Sequence, residues 1–471
     1  MNHVLILIGI SCLFCLSCDD PLDIELNRPN IVFLLADDMG YGDFERIGGS
    51  TETPNLNRLA DEGIFFNNFY AAGPNCSPSR TGLMTGKSPA KVGMYSYRPK
   101  NHPLHLPDQE ITLAELLKTR GYQTAHIGKW HLGELTGNPV FDHPQPHDQG
   151  FDYSMGTENN AEPSHHNPMN FIRNGKALGK VEGYSCQIVA QECMDWLNQK
   201  SDNPFFLYVA FHEPHAKVAS PPELVEKYKN LPQKDAEYLA NIDHLDSAIG
   251  RILNYLKQHD LMDNTIIMFS SDNGSYRLAS NAGLKAVKSF LYDGGIRVPG
   301  IIKWSGIKTN RKVVEAPTGL VDVLPTLCEI VGIYPPDDLD GTSFLPLLEG
   351  KPFKRKFPLY WFFYRTSPEI AMRVGDHIIL GLDNDTIPRP HQFSQDDLRY
   401  LKNISLKDYE LYDLRNDFSQ EKNLFHSHPK KDSLKQLIDH KLTEIKNNRY
   451  PWQKLPLKLE QRKKKTNWVQ Y

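Results

Sequence analysis

The sequence predicts an α/β protein with a large central, mostly parallel β-sheet covered by helices, followed by a smaller C-terminal α+β subdomain with an antiparallel sheet. Three short, continuous apolar runs at residues 31–36, 205–210 and 265–270 predict strands of the central sheet. Strands that are apolar on both faces are typical of parallel sheets buried between helices. Between them, residues 112–119 and 236–258 predict helices that supply the covering layers.

The composition is that of an ordinary folded protein. The chain has 471 residues, with 53 Lys and Arg against 57 Asp and Glu, a formal net charge of -4 and 40% apolar residues. This balance excludes a strongly basic nucleic-acid-binding protein and a disordered chain, so no nucleic-acid partner is expected. The length allows about three domains of roughly 150 residues, or one large core with a smaller appendage.

Residues 1–18 predict a signal peptide. The apolar run at 4–16 is about a dozen residues long, which is short of the roughly 20 that a membrane-spanning helix needs. Its end resembles a lipoprotein signal, in which Cys18 becomes the acylated first residue of the mature chain. Plain secretion with cleavage nearby is the alternative. We expect an exported protein, in the periplasm or at the cell surface, that contacts a membrane only through a lipid anchor at Cys18.

The character of the chain changes near residue 350. Beyond it, short aromatic runs at 361–364, 370–373 and 410–414 alternate with polar turns and predict a small antiparallel sheet. A helix is predicted over 432–446. We therefore place one domain over residues 28–350 and the C-terminal subdomain over 351–471.

The cysteines do not predict a disulfide framework. Those remaining after signal removal are too few and too scattered: Cys18, Cys76, Cys186, Cys193 and Cys328. Cys186 and Cys193 lie in a predicted helix, about 10 Å apart along its axis at 1.5 Å per residue. A bridge between them is therefore not expected.

Polar side chains follow each of the three predicted strands. They are Asp37 and Asp38 after the first, residues 212–215 after the second, and Asp272 and Asn273 after the third. Because the carboxyl ends of parallel strands meet at one edge, these segments should converge on one cleft. Three carboxylates and one amide form an all-oxygen set that suits Ca²⁺ or Mg²⁺, whereas zinc would normally recruit His or Cys. Acidic pairs after strands can also be helix caps or turn residues, but two such pairs favour a metal site.

The most specific segment is residues 76–87, Cys-Ser-Pro-Ser-Arg-Thr-Gly-Leu-Met-Thr-Gly-Lys. It resembles the signature of the sulfatase family, Cys-x-Pro-Ser-Arg followed by Leu-x-Thr-Gly. Further segments resemble the family in the same order, at residues 29–32, 37–43, 53–56, 128–133, 271–274, 292–299, 322–327 and 410–414. The resemblance covers about residues 28–425. It implies an alkaline-phosphatase-like sandwich, a catalytic domain over 28–350 and hydrolysis of sulfate esters.

The resemblance also implies a nucleophile and a metal site. Cys76 would be oxidised to formylglycine by a maturation enzyme that reads the Cys-x-Pro-x-Arg pattern, and the hydrated aldehyde would supply the nucleophile. The alternative for Cys76 is a buried small apolar residue. Asp37, Asp38, Asp272 and Asn273, together with the formylglycine oxygen at position 76, would hold one cation. Calcium is the usual occupant in the family, and Mg²⁺ is the alternative.

Three cationic side chains are matched to the family's sulfate-binding residues. Arg80 would orient the formylglycine, Lys129 would bridge nucleophile and sulfate, and Lys288 would bind the sulfate. Cations held around the transferring group stabilise the transition state. Lys288 is preferred over Lys285 because the family's lysine lies four positions before the aromatic residue, here Tyr292. The alternative for a lone lysine is solvated surface.

Two histidines complete the implied site. The family places His131 on the formylglycine, and alternation along an extended segment would point Lys129 and His131 to the same side. His215 matches the residue that protonates the leaving oxygen, and counting from the predicted strand end at Ala210 favours it over His212. A structural role is the alternative for each histidine.

The sequence predicts the substrate less specifically than the site residues. Residues 141–180 are rich in His, Asn and Pro. Insertions of this kind rim the cleft and recognise the sugar in the family, although the same composition describes any irregular loop. We expect a sulfated oligosaccharide or polysaccharide of galactose or N-acetylgalactosamine type. The alternatives are a phosphatase or phosphodiesterase of the same superfamily, which would use Thr or Ser with two zinc ions, and a catalytically inactive glycan-binding lipoprotein.

Overall fold

The computed structural model describes residues 28–100, 102, 104–135, 143–364, 369–383 and 400–447. The predicted signal at 1–18, including Cys18, lies outside the described residues. Within the described part of the chain, no helix combines the length and the apolar composition needed to cross a membrane.

In the described part of the chain, sixteen strands lie in three sheets. In chain order they are β1 (Asn30–Asp37), β2 (Ile64–Phe66), β3 (Phe69–Tyr70), β4 (Gln123–Lys129), β5 (Tyr153–Thr157), β6 (Ile172–Arg173), β7 (Lys176–Ala177), β8 (Phe205–Pro214), β9 (Thr265–Ser271), β10 (Gly300–Lys303), β11 (Val313–Val314), β12 (Thr318–Gly319), β13 (Leu359–Phe363), β14 (Glu369–Val374), β15 (His377–Leu382) and β16 (Asp408–Asp413). The central sheet has ten strands in the order β11-β2-β10-β9-β1-β8-β4-β5-β6-β7. Strands β3 and β12 form a separate pair.

The α-helices lie mainly on the two faces of the central sheet. In chain order they are α1 (Pro54–Glu62), α2 (Cys76–Thr85), α3 (Pro89–Val92), α4 (Leu113–Lys118), α5 (Ser185–Gln199), α6 (Pro222–Lys227), α7 (Gln233–Gln258), α8 (Asp293–Ile296), α9 (Val323–Ile330), α10 (Leu345–Leu348) and α11 (Lys431–Asn447). The two helices predicted between the strands are α4 and α7, and α7 begins three residues earlier than predicted.

The middle of the sheet is parallel and buried on both faces, as predicted. Strands β9, β1, β8, β4 and β5 are neighbours and pair in parallel. Alternate side chains of β1 enter different cores: Phe33 and Leu35 pack on the face that carries α4 and α9, and Val32 and Leu34 on the face of α5 and α7. The five carboxyl ends therefore lie along one edge, where α/β sheets carry their ligands.

Strand β8 is longer than predicted. The sequence suggested an end at Ala210, but the strand continues to Pro214, and all ten of its residues are buried. Pro214 still faces Asp37 of β1, across an irregularity in the register. His212 therefore lies within the strand, and His215 is the first residue after it.

The C-terminal residues form the predicted antiparallel sheet, in the order β13-β14-β15-β16. Helix α11 covers one face, where Ile438 packs with Ile370 and Ile379. The other face, with Trp361 and Phe363, belongs to the same apolar core as the central sheet. The first strand starts at Leu359, but one core runs through both parts, so the boundary near residue 350 stays a prediction.

Candidate active site

The carboxyl edge of the sheet gathers the predicted polar residues. Asp37 is the last residue of β1, and Asp38 follows it with a left-handed backbone (φ 68°). Asp272 and Asn273 follow β9, the parallel neighbour of β1. The backbone N–H of Asp38 donates to Asp272 Oδ1 at 3.2 Å. The two acidic segments, 234 residues apart in the chain, therefore meet as strand-end partners.

Helix α2 supplies the predicted nucleophile. Cys76 is its first residue, and all ten residues of the helix are buried. Arg80 lies four positions later, which places it on the same helix face as Cys76. The side chain of the preceding residue, Asn75, donates to Ser289 Oγ at 2.8 Å and does not cap the helix. Cys76 thus stands at the positive end of a buried helix.

Lys129 reaches the site because β4 runs very close to its neighbours. Gly128 has a φ of 115°, and a Cβ there would lie 1.8 Å from the carbonyl oxygen of Ala210. A glycine is therefore required at this position. Lys129, the last residue of the strand, faces Thr157 of β5 and is fully buried.

The predicted metal ligands form one cluster. Oxygen atoms of Asp37, Asp38 and Asp272 and the sulfur of Cys76 all lie within 4.8 Å of one another. Asn273 donates through Nδ2 to Asp38 Oδ1 at 2.7 Å, while its own Oδ1 is buried without a donor. An unsatisfied buried oxygen is costly, and a cation would satisfy it. The donor set, dominated by carboxylate and amide oxygens, fits a hard cation such as Ca²⁺ or Mg²⁺.

Each of the three carboxylates has a cationic partner. Arg80 donates to Asp272 Oδ2 through Nε at 3.0 Å and Nη2 at 2.8 Å. Lys129 Nζ lies 2.7 Å from Asp37 Oδ2. Lys288 Nζ lies 2.5 Å from Asp38 Oδ1 and 3.5 Å from Cys76 Sγ. Three negative and three positive side chains therefore surround Cys76.

Lys285, the alternative to Lys288, points elsewhere. Its Nζ donates to the hydroxyl of Tyr412 at 2.8 Å and lies 3.8 Å from Glu410 Oε2. The geometry places Lys288, and not Lys285, beside Cys76.

Burial and charge set the ionisation of the centre. Burial by itself would raise the pKa of Asp37, but the positive charges of Lys129, His215 and Arg80 hold that pKa well below its usual range. Burial, followed by repulsion from Asp37, raises the pKa of Asp272 to about 7. Burial and Asp37 also raise the pKa of the Cys76 thiol. An unmodified Cys76 is therefore a protonated thiol and a poor nucleophile.

His131 lies beside Lys129, but not for the predicted reason. Its φ of 55° shows that the segment is not extended, so the alternation argument is wrong. His131 Nε2 makes a 2.8 Å hydrogen bond with the carbonyl oxygen of Arg98, and its Nδ1 is buried without a partner. Burial and the charge of Lys129 hold the pKa of His131 well below its usual value. The imidazole is therefore neutral.

The two candidate histidines at the end of β8 have different environments. His215 Nε2 lies 3.6 Å from Asp38 Oδ2, and its Nδ1 is 2.6 Å from the carbonyl oxygen of Ala216. Burial lowers its pKa, against the opposing effect of Asp38. His212 is buried behind the site, where Nε2 hydrogen bonds with Thr157 Oγ1 at 2.8 Å. His215 is thus the histidine that faces the cluster.

Four non-glycine residues around the centre have left-handed backbone. Asp38, His131, Ala286 and Ser289 have φ values of 68°, 55°, 63° and 77°. Non-glycine residues seldom adopt this conformation, and such strain is typical of active sites. It sets the directions of Asp38 and His131 and shapes the loop that carries Lys288.

Sequence reasoning missed an ion pair next to His131. Arg98 is fully buried, its Nη1 donates to Glu158, and its Nε and Nη2 are buried without partners. The Arg98 backbone N–H donates to Ser77 Oγ at 3.0 Å, and the His131 N–H donates to the carbonyl oxygen of Glu158 at 2.7 Å. The pair therefore forms one wall of the site. Glu158 lies within the segment 141–180 that was expected to rim the cleft, but nothing in the sequence around Arg98 indicates their pairing.

Comparisons with known proteins agree with this geometry. The chain matches the family model described as Sulfatase over residues 29–333, and that described as N-sulphoglucosamine sulphohydrolase, C-terminal, over residues 286–448. It is 35% identical over 388 residues to N-acetylgalactosamine-6-sulfatase of Homo sapiens, covering 74% of this chain and 70% of that protein. It is 32% identical over 369 residues to the ulvan-active sulfatase of Formosa agariphila, covering 71% and 69%.

A solved structure extends the likeness to the whole fold. Ps i-CgsB in complex with k-i-k-neocarrahexaose superposes with a TM-score of 0.76 at 25% identity, over 90% of this chain and 94% of that one. Three findings agree. The family model matches more than half of the chain, the relatives above are sulfatases, and the fold superposes on a solved structure. The chain therefore belongs to the sulfatase family and is a sulfuric ester hydrolase.

Proposed function

We propose that this sulfatase removes sulfate from carbohydrates, using a formylglycine made from Cys76 and one bound calcium ion. The observation that carries the proposal is the position of Cys76. Its Sγ lies 3.3 Å from Asp37 Oδ1 and 3.5 Å from Lys288 Nζ. A nucleophile at this position faces both the carboxylates that suit a cation and a lysine that suits a sulfate.

The carbohydrate class is supported by the relatives. One is named for N-acetylgalactosamine 6-sulfate, one is active on ulvan, and Ps i-CgsB was solved with a neocarrahexaose. We propose a galactose or N-acetylgalactosamine sulfate, within an oligosaccharide or polysaccharide, as the substrate of this chain. The signal predicted at residues 1–18 supports export to the periplasm or cell surface, where such glycans are met.

The chain's own residues prepare the site for this chemistry. Asp37, Asp38, Asp272 and Asn273 would hold the calcium. When present, the calcium would polarise the sulfate and the formylglycine would supply a hydroxyl nucleophile. Lys129 and Lys288 bind sulfate oxygens, and their charges stabilise the negative charge that develops there. Arg80, held by Asp272, keeps the residue at position 76 oriented.

The two histidines move protons. His215, at the open side of the cluster, donates a proton to the leaving sugar oxygen. His131 is neutral, and its Nδ1 is free of partners. It accepts the proton that is lost when sulfate is released from residue 76. A formylglycine-generating enzyme is the required maturation partner, and the pattern that it reads, Cys76, Pro78 and Arg80, is intact.

The phosphatase alternative fits the site less well. It requires Thr or Ser as nucleophile and further Asp and His ligands for a second zinc ion. Here the nucleophile position holds Cys76, and among the described residues both clusters that could hold a metal include this cysteine. The inactive glycan-binding alternative is addressed by experiment.

The test is sulfate release by the purified protein, after mass spectrometry has shown formylglycine in the Cys76 peptide. The substrates are galactose, N-acetylgalactosamine, glucosamine and uronate sulfates that differ in sulfate position. We expect release from one or two galactose-type substrates. Formylglycine without release from any sulfated sugar or oligosaccharide would favour the inactive binding protein.

A matched pair of variants tests the nucleophile. Cys76→Ala should abolish sulfate release, since it removes the only route to formylglycine at this position. Cys328→Ala, at a buried free cysteine of α9, controls for loss of a buried thiol and should retain activity. Unchanged release by Cys76→Ala would refute the formylglycine proposal.

A further inference from the structure

A second cleft lies next to the proposed catalytic centre. It is bounded by residues 160–163, Met169, Asn170 and Lys217, encloses about 580 Å³ and opens to solvent. We refer to it as the Lys217 cleft. Its residues play no part in the ion network around Cys76.

The sheet places this cleft on the side of the leaving group. Asn160 lies three residues after Thr157, which faces Lys129 across β5 and β4. Lys217 lies two residues after His215, at the end of β8. Because β5 and β8 are the two neighbours of β4, the cleft begins where the sugar that carries the sulfate would leave the centre.

The walls of the cleft are held by hydrogen bonds and do not require closure. Asn170 Nδ2 donates to the carbonyl oxygen of Asn160 at 2.8 Å, and Asn170 Oδ1 accepts from the Glu162 N–H at 2.8 Å. The His165 N–H donates to the carbonyl oxygen of Lys217 at 3.2 Å. The Asn160 loop and the Lys217 loop are therefore joined, and the cleft is preformed.

Three groups in the cleft lack protein partners or are exposed. Asn160 Oδ1 is buried without a donor. Lys217 is exposed, and among the described residues its ammonium has no carboxylate within ion-pairing distance. Met169 is 60% exposed. The one acidic side chain of the cleft, Glu162, lies 3.4 Å from the ammonium of Lys100, so its charge is balanced and that of Lys217 is not.

This combination suits one class of ligand. An amide oxygen accepts from a sugar hydroxyl, an exposed thioether packs against the C–H face of a sugar ring, and an unpaired ammonium attracts an anion. We propose that the Lys217 cleft binds the neighbouring sugar of a glycan chain and prefers one that carries a carboxylate or a second sulfate. The inference rests on the proposed function, because it takes the substrate to be a sulfated carbohydrate.

Binding and turnover are measured separately to test this. Cys76→Ala and the double variant Cys76→Ala/Lys217→Gln are titrated calorimetrically with three oligosaccharides that share one sulfated unit. The neighbouring sugar is neutral, a uronate or sulfated. Lys217→Gln should weaken binding of the two anionic ligands about two- to fivefold, the range of a single exposed ion pair. It should leave the neutral ligand unchanged. The difference should shrink as salt is raised.

The control is Lys176→Gln, at an exposed lysine on the edge strand β7 that does not line the cleft. It should change none of the three affinities. Equal affinities for all ligands, or the same loss with the neutral ligand, would overturn the Lys217 proposal. If only one of the two anionic ligands loses affinity, that ligand identifies the preferred anion.

Turnover separates this proposal from the proposed function. With formylglycine present, Lys217→Gln should lower kcat/KM for the anionic oligosaccharide and leave that for the sulfated monosaccharide unchanged. If the wild-type protein binds these ligands through Lys217 but releases no sulfate, the hydrolase chemistry fails and the cleft assignment stands. If it releases sulfate but Lys217→Gln changes nothing, the cleft assignment fails alone.

Discussion

The catalytic centre and the Lys217 cleft share one edge of the sheet but treat charge in opposite ways. In the centre, Asp37, Asp38 and Asp272 are buried against Lys129, Lys288 and Arg80. In the cleft, Lys217 is exposed, and no carboxylate in the described part of the chain pairs with it. Balanced buried charges hold a geometry, which suits a group that is the same in every substrate. An exposed charge can interact with anions in several positions. This suits a neighbouring sugar that differs from one substrate to another.

Removing one charge from the balanced centre should have the largest effect. Lys288→Ala leaves Asp38 without its 2.5 Å partner and removes a proposed sulfate ligand. It should lower kcat/KM for sulfate release about 100- to 1,000-fold. Lys285→Ala is the matched control, because its ammonium contacts Tyr412, and it should stay within a few-fold of wild type. Equal losses in the two variants would break the distinction between Lys288 and its neighbour.

At the open side of the centre, His215 faces the place proposed for the leaving sugar. His215→Ala should lower kcat for a sugar sulfate about 100-fold, since a sugar alkoxide needs a proton. With 4-nitrophenyl sulfate the loss should be much smaller, because nitrophenolate leaves without protonation. His440→Ala, at a side chain that is 75% exposed, should change neither rate. A loss that is the same for both substrates would show that His215 does not act on the leaving oxygen.

Glu369 is a buried acid that has no cationic partner among the described residues. It accepts the Leu291 N–H at 3.2 Å, and burial raises its pKa from 4.5 to about 7. The folded state therefore binds this proton more tightly than the unfolded state. The contribution of protonated Glu369 to the free energy of unfolding is fully present below pH 4.5, and it is lost as the pH rises through 7. The loss amounts to about 3 kcal/mol at most, at 1.36 kcal/mol per pKa unit.

Glu369→Gln should remove this pH dependence and retain the hydrogen bond. Denaturant unfolding at pH 5 and pH 8 should show that the wild type loses stability relative to the variant. Glu349 is the control, because hydrogen bonds from Lys351 and Lys308 lower its pKa. A carboxyl with a lowered pKa is ionised in both the folded and the unfolded state between pH 5 and pH 8, so Glu349→Gln should leave the pH dependence over this range nearly unchanged. Parallel pH profiles for wild type and Glu369→Gln would contradict the expectation.

The smallest effect should come from replacing Asn273, the uncharged residue among the proposed calcium ligands. Asn273→Ala removes the buried Oδ1 that lacks a donor but leaves all three carboxylates. Calcium should bind about tenfold more weakly, by analogy with losses of groups that support a metal site. The readout is the rise in Tm with added CaCl₂ or MgCl₂, which follows the affinity of the folded protein.

Asn281→Ala is the matched control for this experiment. Its Oδ1 is also buried without a donor, but its side-chain amide donates to the carbonyl oxygen of Ala286, whereas that of Asn273 donates to Asp38. The variant should keep the calcium-dependent rise in Tm, whatever its basal stability. An unchanged calcium response in Asn273→Ala would exclude Asn273 as a ligand.

Much of the fold and of the centre could be predicted because the signals are local. The apolar runs of β1 and β9 end where Asp37 and Asp272 begin, and parallel pairing brings such ends together. The end of β8 was predicted four residues too early, since Phe211 to Pro214 include polar residues that the surrounding elements bury. The backbone of His131 could not be foreseen, because its φ of 55° accompanies hydrogen bonds that His131 donates to the carbonyl oxygens of Arg98 and Glu158, both distant in sequence.

The sequence alone determined the periodicity of the buried strands, the i, i+4 spacing of Cys76 and Arg80, and the order of the family motifs. These depend on residues close together in the chain. The family spacing already favoured Lys288 over Lys285. Only the tertiary structure decided that Arg98 pairs with Glu158, and that Lys217 lies in a cleft with Asn160 without a carboxylate partner among the described residues. Such contacts join segments distant in sequence, so their geometry exists only once the sheet and its loops have packed.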